Sequence, residues 1–339
     1  MDHTPITLTR HIIEEQAGEP AATSEFSAIM VQFSLAAKMI ARDMSHAGLI
    51  DVLGLTGETN VQGEAVQKLD EKANDSFVKA FEYSGSVRTL ISEEMEKPLH
   101  VGGQLPPGSR RGNYALFFDP LDGSSNVDVN AVVGSIFSVH QVSDGSSAVP
   151  DSELLKPGAE QVAAGYVLYG PSTVLVYTRG AGVHQFTLDP AIGEFVLSND
   201  RLKMPSRGKI FSANEGNYRK WPPGVQRFIA HLQEKDKATG RPYSSRYSGC
   251  LVADVHRLLT VGGVYLYPSE EGKEEGKLRL MYEAAPLGLI MEQAGGSAST
   301  GTQRILDIQP TRLHQRVPLI IGSREDVQLA EDFIQGRQS

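Results

Sequence analysis

The sequence predicts an α/β chain (α+β layered) in which helices and sheets alternate, and three observations carry that expectation. Two amphipathic helical patterns open the chain, closely spaced strand-like runs crowd residues 132–197, and the remainder alternates helix with strand. With 339 residues, 40% hydrophobic and 22% charged, there is enough apolar side chain for a sizeable core in one or two units, which excludes disorder, collagen and coiled coil.

Each element follows from a local pattern. Phe26, Ile29, Met30, Phe33, Ala37 and Ile40 recur at helical spacing, so a helix is expected over Thr23–His46 with Thr23 or Ser24 as cap. The Gly-containing stretch GLIDVLGLTGETNVQGE is expected to be a mobile linker to a second helix, whose apolar face reads Val66, Leu69, Ala73, Phe77 and Phe81. Val87–Ile91 and Tyr114–Phe118 read as short strands, divided by a Pro- and Gly-rich segment, and both end in acids. SIFSVHQV, AAGYVLY, TVLVYTR, GVHQFTL and GEFVLS read as an antiparallel meander, the last two joined in a hairpin at DPAIG. The polar stretch Ser198–Lys209 is the expected boundary between an N-terminal unit, 1–200, and a C-terminal unit, 201–339. Beyond it, helices over Val225–Gln233, Cys250–Leu259 and Ala285–Ala294 alternate with the strands VYLYP, LRLMY and VPLIIGS before a last helix, and Gly295 and Gly296 close the third.

Charge and composition narrow the function. The formal balance, 32 − 41 = −9, and the lack of any Lys/Arg run argue against nucleic acid. No apolar run reaches the roughly 18 residues of a membrane helix, and the acidic start is unlike a signal peptide, so a soluble cytoplasmic protein is expected. A lone cysteine, Cys250, excludes an intrachain disulfide and reads as a small buried residue, and His256 reads as a packing or hydrogen-bonding histidine. The marks of P-loop kinases, dinucleotide dehydrogenases, zincins and serine hydrolases are all missing.

The chemistry lies in two acid pairs. Glu93 and Glu94 follow one strand and Asp119 and Asp122 follow another, and in open α/β sheets ligands bind at the carboxyl ends of strands. Carboxylates gathered there repel one another, so either some stay protonated or a cation sits among them, and oxygen ligands without His or Cys select Mg²⁺ or Mn²⁺. An SEE doublet alone reads as a solvated loop; the second pair changes that. Pro120 is expected to stop the strand and turn the chain, letting Asp119 and Asp122 face one point with the Leu121 carbonyl between them. Gly123, Ser124 and Ser125 then offer backbone N–H groups and two hydroxyls to a phosphate held against the metal.

With SEE, DPLDGSSN, NEGN, RYSGCLVADVHR and GKLRLMYE on one chain, the sequence resembles class I fructose-1,6-bisphosphatase from TLTR to LHQRVPLIIGS, and more broadly the metal-dependent sugar and inositol phosphatase superfamily. The resemblance implies that superfamily's sugar-phosphatase fold and hydrolysis of fructose 1,6-bisphosphate to fructose 6-phosphate, serving gluconeogenesis or a carbon-fixation cycle. It implies two to three Mg²⁺ ions, or Mn²⁺, held by Glu93, Asp119, Asp122, Glu283 and the Leu121 carbonyl. Asp70, Glu94 and Glu64 would orient and deprotonate the attacking water, with Glu64 outside the helix that carries Asp70. Asp122, Gly123, Ser124 and Ser125 would lie against the 1-phosphate, while Asn214, Tyr247, Tyr265, Tyr267 and Lys277 would contact the sugar and its 6-phosphate. Arg246 would reach the neighbouring subunit's site in a homotetramer. Departures fall at Asn113, where animal members carry Lys in the AMP site, at Asn217 beside Tyr218, and in Ser143–Gly158, which lacks the cysteines of the plastid redox loop. Two other functions fit the same residues: an enzyme also hydrolysing sedoheptulose 1,7-bisphosphate, and a non-catalytic sugar-phosphate-binding regulator.

Overall fold

The computed structural model describes residues 5–17, 24–49, 53–59, 65–101, 112–143 and 148–338. Three helices open it: α1 (Leu8–Ala17), α2 (Ser24–Ser45) and α3 (Lys68–Glu82). Helix α1 was not anticipated, because its buried apolar residues, Leu8 and Ile12, are too few for a clear period. Helix α2 matches its pattern, with Phe26, Ile29, Met30, Phe33, Ala37 and Ile40 all buried. Thr23, its expected cap, lies outside the described residues. The expected linker instead contributes a strand in its described part, β1 (Leu55–Thr59), paired antiparallel with β2 (Ala65–Gln67).

Eight strands form the main sheet: β3 (Thr89–Ser92), β4 (Leu99–His100), β5 (Tyr114–Asp122), β6 (Val133–Gln141), β7 (Gln161–Tyr169), β8 (Thr173–Thr178), β9 (Val183–Asp189) and β10 (Glu194–Asn199). Their order is β10-β9-β8-β7-β6-β5-β3-β4, so the expected meander is present and only β3 and β5 run parallel. Helices α2 and α3 cover one face, where Phe33 meets Phe137 at 4.1 Å and Phe77 meets Phe118 at 5.0 Å between ring centroids. Each such buried ring is worth about 1.5–3 kcal/mol against exposure.

The short helix α4 (Asp151–Leu154) lies between β6 and β7, and a second sheet with its helices follows β10. Strands β11 (Ile210–Ser212), β12 (Ser244–Ser245) and β13 (Val264–Tyr267) precede helices α5 (Pro223–Gln233) and α6 (Leu251–Val261) or alternate with them. Then come β14 (Leu278–Arg279), α7 (Ala285–Gln293), β15 (Ser297–Ser299), β16 (Arg316–Val317), β17 (Leu319–Gly322) and α8 (Arg324–Ile334). The five-stranded order is β12-β11-β13-β17-β15, and β14 pairs with β16. The expected strand LRLMY is corrected: only Leu278 and Arg279 are extended, and Leu280–Ala284 wind into a π-helical turn continuous with α7. One core cluster unites the parts, with Ile91, Phe117 and Ile136 of the main sheet packed among Val252 of α6 and Leu287 and Ile290 of α7. Gly134 permits this approach: a Cβ there would lie 2.6 Å from the Val252 Cβ.

Candidate active site

The site grows from the parallel pair β3 and β5. Ser92 registers with Phe118, and the Glu93 N–H donates to the Phe118 carbonyl at 3.1 Å, so Glu93, just past the end of β3, lies beside Asp119 of β5. Pro120 does not end β5, contrary to expectation. The strand runs on to Asp122 through a bulge, since Asp119 pairs with Ile136 but Asp122 with Gly134, which opposes three steps on one strand to two on the other. A bulge leaves a residue out of the ladder, so proline's missing N–H costs nothing there, and the Pro120 carbonyl accepts from Ser135 Oγ at 2.7 Å. The bulge also explains the acid spacing. Residues three apart on a regular strand face opposite sides; the extra residue reverses the phase and puts Asp119 and Asp122 on the same wall.

Neighbouring elements fix the other groups. Asp122 Oδ2 accepts from the Val252 N–H at 2.6 Å and from Cys250 Sγ at 3.1 Å, which seats the carboxylate at the start of α6. Gly123 adopts φ 77°, and a Cβ there would meet the Cys250 Cβ at 2.8 Å. Ser124 and Ser125 open the short 3₁₀ turn that follows. Asn126 ties this turn to the Tyr247–Gly249 segment by donating to the Ser248 carbonyl at 3.2 Å, and Asp254 accepts from the Ser248 N–H at 3.0 Å. Asp70, in the first turn of α3, accepts from the Gln67 N–H at 3.0 Å and lines the same space. Glu283 lies in the π-helical turn, where it accepts from the Arg279 N–H, while Arg279 Nη2 sits 2.6 Å from Glu93 Oε1.

These groups line a cavity of about 450 Å³. On its wall are Asp70, Glu93, Glu94, Asp119, Leu121, Asp122 and Glu283, then Gly123, Ser124 and Ser125, and Tyr247, Tyr265, Tyr267 and Lys277. Asn214 and Arg246 are not on it. The Asn214 side chain caps its own 3₁₀ turn by accepting from the Gly216 N–H at 3.2 Å, and Arg246 is exposed with Nη1 on the Ser245 carbonyl. Tyr218 turns its hydroxyl to the Gln226 carbonyl. Glu64 lies outside the described residues; α3 begins after it, at Lys68. Cys250 is buried as expected yet also touches Asp122, and His256 hydrogen-bonds Tyr166 at 2.8 Å.

The sequence reading missed Arg279. Its signal was a charge flanked by leucines in LRL, which a solvated strand edge would not need, and here it is 3% exposed. It also missed Gln67 at the end of β2, Gly249, and Leu251 at the start of α6, all on the wall, which carry no mark of their own.

Among the described residues, the wall carries six acids, Asp70, Glu93, Glu94, Asp119, Asp122 and Glu283, against two cations, Lys277 and Arg279. Burial, followed by the charges of Glu93, Glu283 and Asp122, pushes the Asp119 carboxyl well above the ordinary range. Burial lifts Asp122 to about 6 despite its helix-end hydrogen bonds. Burial also lifts Glu283 to about 8, and neither the Arg279 charge nor its N–H, set against the charges of Glu93 and Asp122, offsets it. Buried carboxylates held this close call for protons or for a cation. An all-oxygen donor set of this kind fits Mg²⁺ or Mn²⁺.

Residues 6–200 match the family model described as the N-terminal domain of fructose-1-6-bisphosphatase, and residues 204–335 match its C-terminal domain. The chain belongs to the fructose-1,6-bisphosphatase family. It is 54% identical over 332 residues to fructose-1,6-bisphosphatase class 1 of Chloroherpeton thalassium, covering 98% of this chain and 94% of that one. The class 1 relative from Crocosphaera subtropica is 49% identical, over 100% of this chain and 94% of its own. Among solved structures, the Leishmania major fructose-1,6-bisphosphatase in holo form superposes with a TM-score of 0.90 at 41% identity, covering 97% of this chain and 99% of that one. The same enzyme in its T-state gives 0.87 at 40%, covering 99% and 100%. The family's fold is thus this chain's fold, and the chain is a phosphatase.

Proposed function

We propose that this phosphoric monoester hydrolase acts on the 1-phosphate of fructose 1,6-bisphosphate, using Mg²⁺ or Mn²⁺, two to three ions per site. The reading is carried by Glu93, Asp119, Asp122 and Glu283, all buried, converging from three elements beside the Gly123-Ser124-Ser125 turn. These four carboxylates and the Leu121 carbonyl would hold the metal, which when bound supplies positive charge to the phosphoryl oxygens and acidifies water. The Ser124 and Ser125 hydroxyls and the Gly123 backbone hold the phosphate in line. Asp70 and Glu94, with Glu64, orient the water and take its proton; its oxygen bonds to phosphorus as the bond to the sugar oxygen breaks, and that oxygen picks up a proton. Arg279, with Nη2 2.6 Å from Glu93 Oε1, fixes the position of that carboxylate. Tyr247, Tyr265, Tyr267 and Lys277 take the sugar and the distal phosphate, whose charge suits the lysine.

The finer assignments belong to the same proposal. Residues 1–200 supply the metal and 1-phosphate groups and residues 201–339 the sugar and 6-phosphate groups, with Glu283 crossing over. Asn214 contacts the sugar phosphate once substrate is bound. Arg246, exposed and away from its own cavity, serves a neighbouring subunit in a homotetramer. The enzyme works in the cytoplasm, in gluconeogenesis or a carbon-fixation cycle. The family and its class 1 relatives favour neither added sedoheptulose 1,7-bisphosphatase activity nor a non-catalytic regulator. Comparing kcat/KM for fructose 1,6-bisphosphate, sedoheptulose 1,7-bisphosphate and inositol 1-phosphate with Mg²⁺ tests the reading. The fructose ester should be hydrolysed fastest; equal rates on the first two would make the enzyme bifunctional.

A further inference from the structure

We propose that His11 of α1, His184 of β9 and Asp200, just past β10, form a binding site for a divalent transition ion of the zinc kind, separate from the acid-lined cavity. None of the three lines that cavity. One ligand atom from each lies within 4.8 Å of the others, and among the described residues no other set of His, Cys, Asp and Glu is gathered so tightly. His184 Nδ1 is 2.6 Å from Asp200 Oδ1, and His11 Nε2 is 4.0 Å from the same oxygen.

The hydrogen bonds around the rings assign their protons. The Tyr177 hydroxyl donates to Glu15 Oε2 at 2.9 Å, because a carboxylate only accepts. Tyr177 therefore offers His11 an oxygen acceptor, so the His11 Nδ1 contact at 2.9 Å is made by its N–H. Burial, the largest influence on His11, holds its pKa below the ordinary imidazole value and the ring neutral. The bare Nε2 lone pair then faces the Asp200 carboxylate, two acceptors with nothing to share. On the other ring, Nε2 lies 3.3 Å from Glu15 Oε1 and donates to it, leaving Nδ1 directed at Asp200. Each imidazole is thus anchored from behind, through Tyr177 or Glu15, with its second nitrogen pointing at a common carboxylate. Metal-binding histidines are held in this way.

Two nitrogens and a carboxylate oxygen suit zinc-like ions and not Mg²⁺. Ligands about 2.0 Å from a tetrahedral ion stand about 3.3 Å apart, so Asp200 would back away from His184 while His11 closes on it. Asp200 can make that shift because its side chain is 57% exposed, and the same exposure gives the ion its entry path and leaves a fourth position open to a ligand from solvent. On binding, the His184 Nδ1 proton that bridges to Asp200 leaves to solvent and the ion takes its place. The ion would then clip α1 to the sheet edge, where the Leu197 N–H already donates to the Ile6 carbonyl at 2.8 Å.

The test is Zn²⁺ and Co²⁺ binding to the full chain with Mg²⁺ in excess, read by equilibrium dialysis, by the visible absorption of tetrahedral Co²⁺ and by thermal melting. The wild type should take up one ion that Mg²⁺ does not displace, show the Co²⁺ spectrum and melt higher with Zn²⁺. His184→Ala and His11→Ala should lose all three signals, and Glu15→Gln should bind about 10–100-fold more weakly. If a histidine variant fails to fold, Asp200→Asn at the exposed rim decides, and it should lose the tetrahedral spectrum. Equal uptake by wild type and all variants would place the ion elsewhere and overturn the proposal, as would absence of uptake by the wild type.

Discussion

Asp122 takes two hydrogen bonds from the start of α6 and still titrates at about 6, so the pull of those donors is smaller than the cost of burying its charge. Asp122→Asn keeps the shape and one acceptor oxygen but removes the charge; we expect phosphate release to fall by 10²–10³-fold or more, roughly as for loss of one transition-state contact, with an unchanged circular dichroism spectrum. Wild-type turnover would remove Asp122 from the site. The raised carboxyls also set a pH dependence. Asp119, Asp122 and Glu283 hold protons in the folded chain at pH values where the unfolded chain, titrating at 3.8 for Asp and 4.5 for Glu, has released them. Their contribution is fully present below those values and is lost as pH rises past about 6 for Asp122 and about 8 for Glu283. Metal-free protein should therefore melt progressively lower from about pH 5 to about pH 8, and Mg²⁺ should raise the melting temperature more at the upper end. A melting temperature that does not change with pH under chelation would contradict the clustering of charge. Asp119, Asp122 and the two glutamates after β3 were legible because an acid at the end of an apolar strand sits beside the core, where solubility alone does not require it. Arg279 was not, because one basic residue in a short apolar run says nothing about which acid it will meet.

Elements were legible where one face is apolar over several turns. Helices α2 and α3 and the meander β6–β10 bury such faces, and their patterns survive into the structure. Helix α1 was illegible for the opposite reason: it buries few apolar residues, and the partner that holds its start lies far along the chain, as Val196 does for Thr7. Pro120 was read as a stop because a bulge depends on the partner strand, which no local rule contains. The approach of α6 to β6 rests on Gly134, and Gly134→Ala would force its Cβ within 2.6 Å of the Val252 Cβ. Urea melts should show a loss of about 1–3 kcal/mol for this substitution, typical of overpacking, together with weakened turnover, since α6 also carries the donors to Asp122. A loss below the error of the melt would mean that the contact is loose.

At the scale of the whole molecule, the two proposed units are not independent bodies energetically. Ile91 and Phe117 from the first and Val252, Leu280 and Ile290 from the second belong to one buried cluster. Thermal unfolding followed by far-ultraviolet and near-ultraviolet signals should therefore give one coincident transition, and two separated transitions would show that the shared cluster does not couple them. Composition could suggest a boundary near residue 200, but not that the apolar faces on either side of it would merge, because that is a property of packing and not of periodicity.

What matters most for the molecule is whether the acid-lined cavity releases phosphate from fructose 1,6-bisphosphate with the help of a divalent metal. Phosphate release by the wild-type chain, with Mg²⁺ and then with chelator, decides it. Rapid release with Mg²⁺, none with chelator, and restoration when Mg²⁺ is returned in excess is the expected result. No release from folded, Mg²⁺-loaded protein, or release that persists under chelation, would contradict the proposed chemistry.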